Sequence, residues 1–265
     1  MGVEMKWIKI LMVIAFAAIN QGAIADVTGD FLAPKSSDQK GVLSLTISKS
    51  ITPKDYTDMA NLATMIDKRH GDKWLLMADL NTTGGNVEAA LKIGSFFRKK
   101  DALASVPNGS ICMSSCVYVL AGATHRSVEG VVGIHRPYEP DDNTISEVAQ
   151  KVKYQKLGNQ ITAFLRNVNI PSRLYEDSLF ISPDRVKILS SDELQAYGLN
   201  ENDPFVDEAD AVKSAKKFGI SRKEYGQREI RARQTCKSIA ATKQSTQEEM
   251  SAYIKCKSDI LDGTH

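Results

Sequence analysis

The sequence is short of several things that would have pointed elsewhere. Charge of one sign is missing: 34 Lys and Arg stand against 32 Asp and Glu, a formal net charge of +2. No basic excess invites nucleic acid as a partner. Cysteine and histidine are sparse, four of each. Cys112, Cys116, Cys236 and Cys256 show no CxxC…CxxC spacing, and His70, His125, His135 and His265 are scattered. A zinc-type ligand set is therefore not expected, and neither is another metal or a cofactor. Beyond the first 25 residues no apolar run is long enough to span a membrane, and no internal repeat is visible.

What is present starts with length. A chain of 265 residues can build one substantial core and an appendage. At the amino end, Lys6 and Lys9 flank the start of an apolar run from Ile8 to Ile19. Ala23-Ile24-Ala25 follows as a small-x-small cleavage signal before Asp26. Residues 1–25 thus read as a secretory signal peptide cleaved after Ala25, with Glu4 unusual for such a segment. The mature chain is expected to be exported and periplasmic, without a membrane span. In an oxidising compartment an even number of cysteines favours disulfides. Cys236 and Cys256 look like one pair, and Cys112 and Cys116 are close enough to be the other.

Alternating strand and helix signals predict an α/β domain. Residues 26–39 are polar and read as a loose lead-in. Gly41 to Ile47 alternates apolar and polar residues, as a strand does. Thr52 to Lys68 carries Met59, Leu62, Met65 and Ile66 at helical spacing, behind a Thr52 cap and Pro53. Lys73 to Leu80 reads as a buried strand, Val87 to Phe97 as an amphipathic helix, and Ala102 to Pro107 as a short strand. A long helix is expected over Thr144 to Val168, and a helix and turn over Pro171 to Asp184. Val186 to Leu189 reads as a strand, and Ser190 to Gly198 as a helix with a glycine C-cap. From about Asp207 the chain turns charged and Ala-rich, which predicts a helical hairpin over residues 206–265 closed by Cys236–Cys256.

Three places could carry chemistry. Gly84-Gly85 lies between a strand and a helix, so its amides could point at an anion, although a tight turn explains it equally well. Ser114 and Ser115 stand between an extended piece and the apolar run Val117 to Ala121. A serine there can offer its hydroxyl while the next amide faces the same point, or it can simply cap the helix. His135 ends the strand Val131 to Ile134. As a base it needs an orienting partner, for which Asp184, Asp177 and Glu176 are candidates.

Together these residues resemble the Clp protease proteolytic subunit and the wider ClpP/crotonase superfamily, with signal-peptide peptidases of the SppA type as more distant members. Asn81-Thr82-Thr83-Gly84-Gly85 resembles the family's Asn-Ser-Pro-Gly-Gly, and Ile134-His135-Arg136-Pro137 its Ile-His-Gln-Pro. Ile188-Leu189-Ser190 through Tyr197-Gly198-Leu199 resembles its Phe-Leu-Ser…Tyr-Gly-Leu ending. The resemblance implies a spiral core of repeated strand-strand-helix units over residues 26–205, followed by the helical extension. It implies Ser114 as nucleophile, His135 as general base and Asp184 as third member. Gly85 and Ser115 would supply the oxyanion-hole amides. Ser115 replaces Ser114 only with a one-residue gap, and Asp184 matches only if Val186 and Lys187 are extra. Thr83 in place of proline, and cysteines bracketing the serine, set the chain apart from the cytosolic protease. The expected function is a periplasmic serine peptidase or hydrolase, working as a homo-oligomer on peptide or protein through an acyl-enzyme. The alternative is a binding or assembly protein that kept the fold without catalysis. No lysine matches the Ser–Lys motif of SppA-type enzymes. A histidine base would show as loss of rate below roughly pH 6.5.

Overall fold

The computed structural model describes residues 26–34, 36, 39–138, 146–236 and 246–264. The expected signal peptide over residues 1–25 lies outside them. Among the described residues no helix is long and apolar enough to cross a membrane. The chain divides into two compact units, Met1–Asn202 and Asp203–His265.

Among the described residues the first unit is built on an eight-stranded mixed sheet. Its chain order begins β1 (Asp26–Leu32), β2 (Gly41–Ile51), α1 (Pro53–His70), β3 (Trp74–Gly85) and α2 (Val87–Lys99). Then come β4 (Leu103–Val106), β5 (Ile111–Met113), α3 (Cys116–Gly122), β6 (His125–Val128) and β7 (Val131–Ile134). It closes with α4 (Glu147–Asn167), α5 (Arg173–Ser178), β8 (Lys187–Ile188) and α6 (Ser191–Ala196). The main path of the sheet runs β1-β2-β3-β5-β7-β8. β1 and β8 are antiparallel to their neighbours, and the pairs between β2 and β7 are parallel.

β3 is long enough to serve two partners. Met77–Asp79 pair with β4, and Thr82 pairs with Cys112 of β5. The sheet therefore forks, with β4 and β6 on one branch and β5 and β7 on the other. β2 and β3 bury alternate residues, Leu43, Leu45, Ile47, Leu76, Ala78 and Leu80, beneath the helices. Ser44, Thr46, Met77, Asp79 and Asn81 are exposed on the other face. α2 turns Ala89, Ala90, Ile93, Gly94 and Phe97 inward. It meets α3 backbone to backbone, since a Cβ on Gly122 would lie 2.1 Å from the Gly94 carbonyl oxygen. Only glycine at both positions permits that approach.

Three expectations change. Residues 26–32 form a strand rather than a lead-in, because Val27 and Phe31 alternate with polar residues and pair antiparallel with β2. Strand β3 runs on through Gly84 and Gly85 instead of stopping at Leu80. Among its described residues the second unit has three helices, α7 (Pro204–Lys217), α8 (Arg222–Thr235) and α9 (Gln247–Asp262), where the sequence predicts a hairpin. The extra helix begins on Asp203, whose carboxylate accepts from the Phe205 and Val206 amides, with Pro204 at its first position. The α8–α9 pair is closed by the Cys236–Cys256 disulfide, with 6.0 Å between Cα atoms.

Candidate active site at the carboxyl edge of the sheet

Parallel pairing brings three chain ends together. Thr82 lies opposite Cys112, Cys112 opposite Val132, and Met113 opposite Gly133. Two residues beyond Thr82 and Cys112 come Gly84 and Ser114, at the level of Ile134, and His135 follows one residue further out. Adjacent strands are about 4.8 Å apart, so these residues share the carboxyl edge, where open α/β sheets place their ligands.

Ser114 occupies the two-residue step from β5 into α3. Its φ is 56°, the left-handed region, and its amide donates to the Gly133 carbonyl at 2.9 Å. A left-handed serine between a strand and a helix is the geometry of a nucleophile elbow. The residue is half-buried. Ser115, by contrast, is 1% exposed, and its Oγ has no hydrogen-bond partner among the described residues. It stands at the N-cap of α3, but its side chain caps nothing.

The two glycines divide their work. Gly84, with φ of 92°, faces the serine turn. A Cβ there would lie 2.8 Å from the Ser114 Cβ and 3.0 Å from the Ser115 amide nitrogen. Its own amide donates to Thr82 Oγ1 at 3.1 Å, and that hydroxyl donates in turn to the Lys49 carbonyl. Gly85, with φ of 145°, lies instead against β2, where a Cβ would come within 2.3 Å of the Ile51 carbonyl oxygen. The site thus puts Gly84 beside the serine turn and the peptide after it toward Gly85. Thr82 and the facing role of Gly84 went unread in the sequence, where only their motif was visible.

His135 is half-buried, and its Nδ1 lies 2.9 Å from the Arg136 carbonyl oxygen. With the proton assigned to Nδ1, that bond leaves Nε2 as the lone-pair nitrogen. The Arg136 amide donates to Ile181 at 2.9 Å, which ties the histidine loop to the segment after α5. The acidic candidates are engaged elsewhere. Asp184 is exposed, and a hydrogen bond from Ser182 holds its carboxyl below the usual carboxylate range. Glu176 accepts from Ser172 at 2.8 Å, and Asp177 from Arg173 at 3.2 Å and Tyr197 at 2.5 Å. The group oriented against the imidazole is a backbone carbonyl. His125 starts β6, and its Nδ1 lies 3.0 Å from Asn202 Oδ1.

Two further features border the site. β8 pairs with β7, placing Lys187 opposite Ile134. The Lys187 ammonium lies 2.5 Å from Glu193. Gly133 is closely packed: a Cβ there would meet Val186 Cγ1 at 2.5 Å, Met113 Sδ at 2.6 Å and Ile188 Cδ1 at 3.2 Å. Val186 and Ile188 are 45% and 52% exposed.

The second pair of cysteines, Cys112 and Cys116, is also joined, with 5.2 Å between Cα atoms, and the bond brackets both serines. Among the described residues no three His, Cys, Asp or Glu side chains converge as metal ligands.

No protein-family model matches the chain. No curated protein matches it. Two solved structures that are similar to it are both of the 1510-N membrane-bound stomatin-specific protease. A serine-to-alanine mutant is 20% identical, over 60% of this chain and 76% of that one, with a TM-score of 0.45. A lysine-to-alanine mutant in complex with a substrate peptide is 18% identical, over 60% and 72%, with a TM-score of 0.44. Likeness at this level assigns no residue role and no substrate to this chain.

Proposed function

We propose that the chain is a ClpP-like serine hydrolase that cleaves peptide bonds through an acyl-enzyme. One observation carries the reading: Ser114 sits left-handed at a strand-to-helix turn, beside the strand that ends at His135, whose Nδ1 is already bonded. Ser114 Oγ would attack the carbonyl carbon while His135 Nε2 takes the hydroxyl proton. The amides of Ser115 and Gly85 would meet the oxyanion. The same proton would then pass to the leaving amine, and water, activated by His135, would release the acyl group. Asp184 enters this reading as an outer electrostatic partner, with the Arg136 carbonyl orienting the imidazole.

Both disulfides support an exported, periplasmic setting for residues 26–265, with the hydrolase unit followed by the helical one. Exposed Val148 and Val152 on the first half of α4 support a homo-oligomer. A monomer mass at sedimentation equilibrium would remove that part.

The test is labelling of the oxidised protein from Asp26 by a fluorophosphonate probe. Labelling should vanish in Ser114→Ala, fall by at least about 100-fold in His135→Ala, and survive in Ser115→Ala. Loss in Lys187→Ala with retention in His135→Ala would move the base to the lysine. An unlabelled wild type would favour the non-catalytic binding protein, for which the exposed Asp184 is the supporting observation.

A further inference from the structure

We infer that the Cys112–Cys116 disulfide is a positioning device that holds Ser114 in its left-handed conformation. The inference deepens the reading of Ser114 as nucleophile and rests on it for its catalytic meaning.

The chain passes from β5 to α3 in two residues, because Met113 still pairs with Gly133 and Cys116 already opens the helix. Five residues could stretch their end Cα atoms to roughly 13 Å; the bridge keeps these at 5.2 Å. So abrupt a reversal is met here by placing Ser114 at φ 56°.

Other residues outside glycine share that region, and the comparison is informative. Lys49, at φ 59°, sits where the register of β2 against β3 shifts, while Asp101 and Asn169, at φ 48° and 58°, follow the ends of α2 and α4. Asp and Asn are the types that visit left-handed backbone most readily, by bonding locally through short polar side chains. Serine has no such allowance. The hydroxyl of Ser114 must also remain available for attack, so it cannot be committed to stabilising its own turn. The neighbouring Ser115 hydroxyl gives no help, since it is buried and unpartnered among the described residues.

The constraint comes from the ends instead. Cys112 is fixed between Thr82 and Val132 in the sheet, and Cys116 lies at the first position of α3. Both are 0% exposed. A covalent tie between two immobile ends leaves the intervening serine few alternatives. Gly84 provides the space into which the Ser114 Cβ is pushed, only 2.8 Å from where a side chain would begin. Without the tie, Ser114 can relax toward the right-handed region and its hydroxyl turns away from His135.

The experiment compares Cys112→Val/Cys116→Ala, which keeps the buried volume close to native, with Cys236→Ala/Cys256→Ala, which removes the other disulfide. Circular dichroism checks the fold, the fluorophosphonate reaction gives a maximal rate and a half-saturating concentration, and backbone ¹³C shifts report the conformation of Ser114. The first variant is expected to lose about tenfold in maximal rate with the half-saturating concentration unchanged. That factor equals about 1.4 kcal/mol, within the cost of one left-handed residue. Its Ser114 shifts should move to right-handed values, while the second variant stays native in both. Labelling at the wild-type rate overturns the inference. A slower rate with Ser114 still left-handed also overturns it, leaving the bridge a structural role only. If the wild type is not labelled, the hydrolase reading fails, and the shifts alone decide whether the bridge sets the turn. Cys116→Ala by itself, with Cys112 left as a buried thiol, is measured the same way if the double variant does not fold.

Discussion

The two compact units use their disulfides for different ends. Residues 26–202 enclose a continuous core from Leu43 to Leu199, in which Phe97, Leu76, Ile93 and Leu165 are essentially inaccessible. Among the described residues of 203–265 there are two small clusters, Ala211, Ala215 and Tyr225, then Ala232, Cys236 and Ile260. Cysteines are buried in both units, but Cys236 is one of only three buried residues in its cluster, and Phe218 stacks on Tyr225 at 6.2 Å in the other. Small domains with thin cores depend on cross-links, whereas a large sheet covered by helices does not. The bridge in the first unit is therefore free to act locally, at the serine turn.

The contrast can be broken at its strongest point. Phe97→Ala empties a fully buried site where α2 meets the sheet. It should cost about 4 kcal/mol, measured by chemical denaturation of the first unit's transition. A cost under about 1 kcal/mol would mean that the core does not hold this unit.

Next come the disulfides themselves. Cys236–Cys256 spans 20 residues of chain, and its removal should cost the helical unit about 3 kcal/mol. Against so small a core, that loss should melt α8 and α9 at temperatures where the sheet survives, visible as a separate early transition in circular dichroism. Cys112–Cys116 spans only four residues, and the same chain-entropy relation gives about 2 kcal/mol. Its loss should leave one intact transition. Equal effects of the two removals on fold would erase the distinction between a bridge that replaces a core and one that shapes a turn.

Much of this division was legible in the sequence, and what was not has identifiable causes. The amphipathic spacing of Val87 to Phe97 and the apolar run before Asn81 specify α2 and β3 directly. β1 escaped because Thr28, Gly29 and Asp30 dilute its apolar residues, and only its pairing with β2 makes it a strand. Motif resemblance brought Gly84-Gly85, Ser114 and His135 into one frame, but it could not tell which glycine faces the serine. Nor could it show that Ser115 is buried or that Ser114 is left-handed, since both follow from how the β5–α3 step is anchored at each end. The Arg136 carbonyl at His135 carries no side-chain signature at all. The apolar contacts at Gly133 join residues from three strands and their flanks, which only sheet register brings together.

The smallest expected effect sharpens the comparison inside the first unit, at a polar contact within its apolar core. Tyr197 is buried and donates its hydroxyl to Asp177 Oδ2 at 2.5 Å. Burial first, and then the bonded carboxylate, push its phenol up to about 12. An unfolded tyrosine ionises near about 10. The folded value lies above the unfolded one, so folding favours the neutral phenol. The stabilisation is complete below about pH 10 and is lost as pH rises through about 12. Tyr197→Phe keeps the ring and deletes the donor, which should cost about 1.5 kcal/mol near neutral pH. Denaturation midpoints of wild type and variant should converge as pH climbs from about 9 to 12. Midpoints that coincide at every pH would mean that the Asp177 bond contributes nothing, and that packing of the ring alone secures α6 to the core.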